Sequence, residues 1–548
     1  MSLRSPLFYL IPDHTVEVAQ AAFPKGNPYM RMRDTLGPIY TNPEFAHLFP
    51  TVGQPAEDPA QLALVTVMQF AEGLSDSQAA DAVRSRIDWK YALALELTDP
   101  GFDASVLSEF RTRLLRGNAE LLLFETMLTL FREQGLLKAR GRQRTDSTHV
   151  LAAIHVLNRL ECIGESLRHA LNTLASVAPD WLRAWVPGTW FDRYGRRFEN
   201  YRLPPGKPER YALAAEIGMD GVHLLRRVDE PAAPAWLRAV PAVQVLRQVW
   251  TQQFTTPDES GQVRWHTAEE LPPAPKLISS PYDPDARHSK KRETEWIGYK
   301  VHVSEACDEE HPHLLTNIET TPSTTADGMM TATIQEHLAV RGVAPGEHIV
   351  DTSYVSADHL VTSQANGIEL VGPVGTDQSW QARADEGFGA ACFTLDWESK
   401  QATCPQGKVS VAWKPTTAQV GHEVVNIRFG QSDCGSCAVR AQCVSSNRAR
   451  AITIRAQAHY EALHAARQRQ STEEFKDNYA TRAGIEGTIS QGTRISDMRR
   501  SRYIGEAKTR LLQLLIGAAL NFVRVAAWLA DVPHAKTRRS AFSRLAAA

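Results

Sequence analysis

Three acidic residues, far apart in the chain, stand where a carboxylate can do chemistry. Asp351 follows the apolar pair Ile349-Val350 and precedes Thr352-Ser353-Tyr354. That is the carboxyl end of a predicted strand, where functional groups of open α/β sheets collect. Asp146 has a similar setting, after Gln143-Arg-Thr and before Ser147-Thr-His149. Glu486 lies in a helical stretch with Tyr479 and Arg482 at i, i+3 and i+7, which puts the three on one face. Taken singly, the aspartates read equally well as turn or capping residues, and Glu486 as a solvated helix position. Taken together, they can hold two Mg²⁺ (or Mn²⁺) ions about 3.5–4 Å apart. Mg²⁺ prefers a few carboxylates completed by waters and phosphate oxygens. Such a site activates a water or a 3′-hydroxyl against a phosphodiester and needs no His or Lys base.

A second set of residues is suited to a different metal. Cys404, Cys434, Cys437 and Cys443 give the run C-x29-C-x2-C-x5-C. Four thiolates with one C-x2-C knuckle suit a tetrahedral structural Zn²⁺; an iron–sulfur cluster, or no metal at all, is compatible with the same spacing. Cys392 is an alternative ligand, whereas Cys162 and Cys307 read as small buried hydrophobes. Seven cysteines in 548 residues do not make a secreted disulfide framework.

These groups need a scaffold, and the composition supplies one. The chain is 43% hydrophobic and 22% charged, a balance that excludes a largely disordered protein. Its length corresponds to roughly three to four domains. Lys and Arg nearly cancel Asp and Glu, leaving a net charge of −2. The charge is uneven, however: residues 480–548 carry twelve Lys and Arg against four Asp and Glu, the mark of a surface facing a polyanion. The N-terminal apolar run, broken at Pro12, is too short for a secretory leader. Residues 511–530 are apolar enough to span a membrane, but Gln513, Asn521 and Arg524 at helical spacing read as a core helix. The expectation is a cytoplasmic protein with no membrane partner.

The periodicity predicts helices across residues 58–133. Ser75 caps one of them, and the break at Gly73-Leu-Ser-Asp76 fits either a helix-turn-helix or a plain bundle. A strand is expected at 143–150, then helices across 152–240 and a polar, Pro-rich loop over 256–295. An α/β stretch follows, with strands at 297–303, 314–318, 347–353 and 368–373 and helices at 327–340 and 357–365. Residues 376–460 read as irregular, and two helices close the pattern at 473–494 and 504–530. Asp327, His302 and His149 can orient the metal ligands or serve as ordinary caps and core histidines. Asp283-Pro-Asp285 reads as a turn.

The spacing Tyr479-x2-Arg482-x3-Glu486 resembles the Y-R-E-K motif of bacterial insertion-sequence transposases with a DDE triad. Thr145-Asp146-Ser-Thr-His, Trp296-Ile-Gly-Tyr-Lys-Val-His302, Arg499-Arg500-Ser-Arg502-Tyr503 and the run from Ser75 to Tyr91 are similar to that family too. The resemblance implies an α/β fold with an RNase H-like catalytic core, in which Asp146, Asp351 and Glu486 ligate Mg²⁺ (or Mn²⁺) and Tyr479 and Arg482 contact phosphates. The family's Lys, seven residues beyond Glu486, is Thr493 here; Arg494 beside it is expected to take over the phosphate contact. The implied organisation is a helical N-terminal DNA-binding domain (1–137), a core from 138–151, 291–375 and 472–530, a helical insertion (152–290), a Cys-rich insertion (376–471) and a basic tail (531–548). The implied function is a DNA transposase that cuts element ends and joins them to target DNA, acting on double-stranded DNA as a homo-oligomer. A metal-dependent nuclease of the same fold, or a non-catalytic Cys-metal DNA-binding protein, is the alternative.

Overall fold

The computed structural model describes residues 2–3, 9–258, 262–384, 387–418, 421–533 and 542; most of the expected basic tail lies outside them. It is a mixed α/β protein. Near the N-terminus, helix α1 (Pro59–Glu72) is capped by the Asp58 side chain and ends at Gly73. Gly73 has φ +68°, and a Cβ there would stand 2.8 Å from the carbonyl oxygen of Ile495, so glycine is needed both for the turn and for the close approach. The next helix starts from Ser75 in a reciprocal capping box with Gln78.

The central sheet contains β1 (Arg142–Leu151), β2 (Arg287–Lys291), β3 (Thr294–Ala306), β4 (Leu315–Pro322), β5 (Glu347–Val350) and β6 (Glu369–Val371). Its order is β2-β3-β1-β5-β6, with β4 also paired to β3. Strands β1 to β4 pair antiparallel, while β1-β5 and β5-β6 are parallel. The polar stretch read as loop over 256–295 therefore ends in strand β2. Its sequence, Arg-His-Ser-Lys-Lys, carries no apolar alternation; it is a border strand that pairs with β3 alone, and none of its side chains is fully buried.

A second correction concerns residues 376–460, which are not irregular. They hold the hairpin β7 (Thr394–Asp396) and β8 (Gln401–Thr403), and a three-stranded antiparallel sheet of β9 (Ala412–Thr417), β10 (Glu423–Arg428) and β11 (Ala451–Arg455). Phe393, Val425, Ile427, Phe429, Ile452 and Ile454 form its own small core. The strands are short, and Pro415 masks β9; proline is tolerated there because β9 is an edge.

After this insertion come α2 (Glu473–Ala480), α3 (Gly484–Ser496) and α4 (Glu506–Trp528), with a tight turn over Thr481–Ala483 joining α2 to α3. Helix α4 is long and apolar enough to cross a membrane, yet most of it is buried inside the protein. Three polar residues along its apolar stretch have buried partners: Gln513 donates to the Met498 carbonyl, Asn521 clasps the Leu315 backbone from both sides, and Arg524 binds Glu305. One continuous hydrophobic cluster joins the N-terminal helices, the sheet and α4. The helices of 159–253 keep a separate core built on Trp190, Tyr194, Leu246 and Trp250. Asp283 and Asp285 do more than turn the chain: they accept the first backbone N–H groups at the start of α4.

Candidate active site

Strand β5 runs parallel to the first half of β1 and stops with Val350 opposite Thr145. The next residue in each chain segment is an aspartate. Asp351 therefore leaves the sheet beside Asp146, and both lie on the side that Arg144 also faces, by strand alternation. Asp146 is not at a strand end as expected; it sits in the middle of β1, at the point where its neighbour β5 terminates. Asp351 caps the following turn, and its Oδ1 accepts from the N–H and, at 2.7 Å, the Oγ of Ser353.

Helix α3 brings the third carboxylate across this side. Arg482, in the turn before it, donates to Asp146 Oδ2 at 2.7 Å and lies 3.7 Å from Glu486 Oε1. One guanidinium thus touches carboxylates from opposite ends of the sequence. The Arg482 side chain is only 17% exposed, against 68% for Glu486. Burial pushes the Asp146 carboxyl above the usual carboxylate range, opposed by the Ser147 N–H and Arg482 and reinforced by the nearby Asp351 charge. Burial works against the Arg482 charge, but Asp146 more than offsets it.

Tyr479 stacks on Phe475 with ring centroids 5.7 Å apart, and the Arg482 guanidinium lies 5.8 Å from the Tyr479 centroid. The Y-R-E spacing therefore does build one contiguous group. Arg494 does not join it: it is exposed further along α3, and no ion pair ties it to the carboxylates among the described residues. Thr493, in the family's Lys position, turns its hydroxyl back onto the Ile489 carbonyl. As the side chains stand, no three His, Cys, Asp or Glu residues gather closely enough to hold a metal ion among the described residues.

What fixes α3 is a set of residues that sequence reasoning missed. Glu305 of β3 is fully buried opposite Arg144 of β1. Its carboxylate accepts from Arg144 at 2.6 Å, Arg524 at 2.7 Å and Thr488, two residues beyond Glu486. Arg144 also donates to the Thr481 carbonyl, just before Arg482. From below, Ser496 of α3 donates to the Phe70 carbonyl of α1 at 2.6 Å. Arg524, between Val523 and Val525 in an apolar helix, was the available signal.

In the Cys-rich insertion, Cys404, Cys434, Cys437 and Cys443 line one pocket with Phe388, Phe429 and Arg450. The Arg450 backbone N–H points at Cys434 Sγ at 3.4 Å. Burial raises the Cys443 thiol, and the other three thiols add to it. Cys392 is exposed and outside the pocket lining, while Cys162 and Cys307 are buried. Trp397 packs edge-on against Trp413.

Comparison with protein families finds two matches. Residues 403–526 match a Transposase DDE domain, and residues 17–113 match a Transposase domain (DUF772). Both matches are to transposase domains, and together they support an insertion-sequence DDE transposase. No curated protein and no solved structure gives a match. The first domain runs from the cysteine pocket through Glu486 to α4; the second covers the N-terminal helices that share a core with the sheet. A DDE domain implies DNA as the substrate and a core of the RNase H-like kind.

Proposed function

We propose that this transposase cuts the ends of an insertion sequence and joins them to target DNA, with Asp146, Asp351 and Glu486 as its metal ligands. The observation that carries the reading is that Arg482 touches both Asp146 and Glu486, beside the point where β5 ends in Asp351. The donor chemistry fits Mg²⁺ or Mn²⁺: all three groups are hard carboxylate oxygens. Asp351 Oδ2 accepts no hydrogen bond among the described residues, and Glu486 is exposed and loosely held. When bound, the metal pair lowers the pKa of a water or 3′-hydroxyl and stabilises the leaving oxygen.

The protein's own groups do the rest. Arg482 holds Asp146 in place, and its planar fork would suit a phosphate's paired oxygens. Tyr479, stacked on Phe475, is a rigid wall beside the same opening. Arg494, on the exposed flank of α3, meets the DNA backbone further from the cut. The fold is an RNase H-like core carrying a helical and a Cys-rich insertion, and the enzyme works in the cytoplasm as a homo-oligomer on DNA, because two element ends must be held together. We assign the four-cysteine pocket a structural Zn²⁺. Purified protein is expected to hold about one zinc per chain, lost in Cys434→Ser; iron with visible absorbance, or no metal, refutes that assignment. For the catalytic reading, a cleavage assay on element-end DNA with Mg²⁺ is decisive: Glu486→Ala cutting at the wild-type rate refutes it.

A further inference from the structure

Behind the two aspartates, on the opposite side of β1, lies a buried carboxylate whose oxygens are all engaged. Asp327 is 7% exposed. Its Oδ1 accepts from Ser147 Oγ at 3.0 Å and Lys300 Nζ at 2.8 Å. Its Oδ2 lies 3.3 Å from Ser353 Oγ, whose single proton is shared with Asp351 Oδ1, and 3.5 Å from Lys291 Nζ. Ser147 directly follows Asp146 in β1, and Ser353 also binds Asp351 Oδ1 at 2.7 Å. One carboxylate therefore reaches, through a single serine each, the two aspartates of the site.

The frame around it is rigid. Lys300 is anchored a second time on the Thr325 carbonyl at 2.7 Å. His302, two residues on along β3, joins Tyr354 Oη at 2.7 Å and Thr321 Oγ1 at 3.2 Å. The turn that begins at Asp327 presses on the turn that follows Asp351: a Cβ on Gly328 would stand 2.7 Å from the Ser353 carbonyl oxygen. Two turns in such contact cannot shift independently. Three acceptor positions of Asp327 are taken, and the Lys291 ammonium stands beside the fourth; two lysines already balance its charge, so we do not count it among the ligands.

We infer that Asp327 is a positioning residue that sets the geometry of the Asp146–Asp351 pair through Ser147 and Ser353, and so tunes how tightly the site takes a divalent cation. Carboxylates that orient metal ligands typically affect affinity by about 10–100-fold. The inference rests on Asp146 and Asp351 being metal ligands, and the test separates the two claims.

Mn²⁺ binding to the full-length protein, without DNA, is read by electron paramagnetic resonance from the loss of free-ion signal. Asp327→Asn is expected to weaken Mn²⁺ binding about 10–100-fold. Asp327→Asn leaves Lys300 short of its counter-ion and can unsettle the fold, so Ser353→Ala is measured beside it, because it keeps the Lys300–Asp327 pair. Ser353→Ala is expected to weaken Mn²⁺ about tenfold with an unchanged melting temperature and unchanged metal-free gel shift on DNA. Asp351→Ala is the control. If Asp351→Ala abolishes Mn²⁺ binding while Ser353→Ala binds as wild type, the positioning role is wrong and the ligand assignment stands. If Asp351→Ala binds Mn²⁺ as wild type, both are overturned.

Discussion

Two carboxylate–guanidinium clusters share helix α3, and they are built in opposite ways. Around Glu305, both oxygens are taken by Arg144, Arg524 and Thr488, and the side chain is fully buried. Around Glu486, a single contact of 3.7 Å to Arg482 is all that holds, among the described residues, a side chain that is 68% exposed. The positions are two residues from each other on α3, through Thr488. A carboxylate whose task is to fix a helix has its hydrogen bonds filled, because leaving a buried charge short is costly. A carboxylate whose task is to bind something else keeps its oxygens open. The comparison separates frame from site without any knowledge of the reaction.

The largest effect is expected at the frame. Removing the Glu305 carboxylate strands two buried arginines, so Glu305→Ala is predicted to cost about 3–5 kcal/mol in urea unfolding. Burial pulls the Glu305 carboxyl up, but Arg524 and Arg144 bring it below the ordinary range. A carboxyl lowered in the folded state adds stability above its unfolded value, near ~4.3, and loses it as the pH falls through the folded value. Urea midpoints should therefore drop below about pH 4, and Glu305→Gln should flatten that drop. A Glu305→Ala protein as stable as wild type would erase the distinction between the clusters.

Next come the open carboxylates. Glu486→Ala and Asp351→Ala are each predicted to slow cleavage at least about 100-fold, or roughly 2.7 kcal/mol of barrier. Glu486→Ala should shift stability by no more than about 0.5 kcal/mol, as for an ordinary surface position. A large stability loss there would show that Glu486 belongs to the frame.

Arg482 stands between the two behaviours, buried yet tied to the site. Arg482→Ala is predicted to lower the slope of log binding constant against log salt by about 0.9, one phosphate's worth. Gel shifts at several salt concentrations measure it. The smallest effect is expected for Arg494→Ala: a weak loss of DNA affinity with stability within about 0.5 kcal/mol of wild type.

Much of this division was legible in the residues. Strand alternation around Lys300 and His302 located β3, and Gly73 with Ser75 marked a helix end and start. The Y-R-E spacing put Tyr479, Arg482 and Glu486 on one surface. What could not be read was which strands pair, since register depends on partners hundreds of residues away. That is why Asp146 was expected at a strand end, when it is β5, not β1, that stops there. The Glu305 cluster was hidden for the same reason: a glutamate in a strand reveals burial only once Arg144 and Arg524 are known to meet it. The strands of the Cys-rich insertion escaped because Pro415 and their shortness leave little periodicity.

Helix α4 covers surfaces of α1 and β4 that were synthesised long before it. Roughly 180 residues separate β4 from α4, about 10–40 s of translation at ordinary rates. Through that interval the sheet lacks its apolar cover, and Arg524 has not arrived to hold Glu305 and α3. Helix α3 is thus locked only after the whole Cys-rich insertion has been made. A nascent chain that has not reached α4 carries Asp146 and Asp351 without the Arg524 contacts that hold α3.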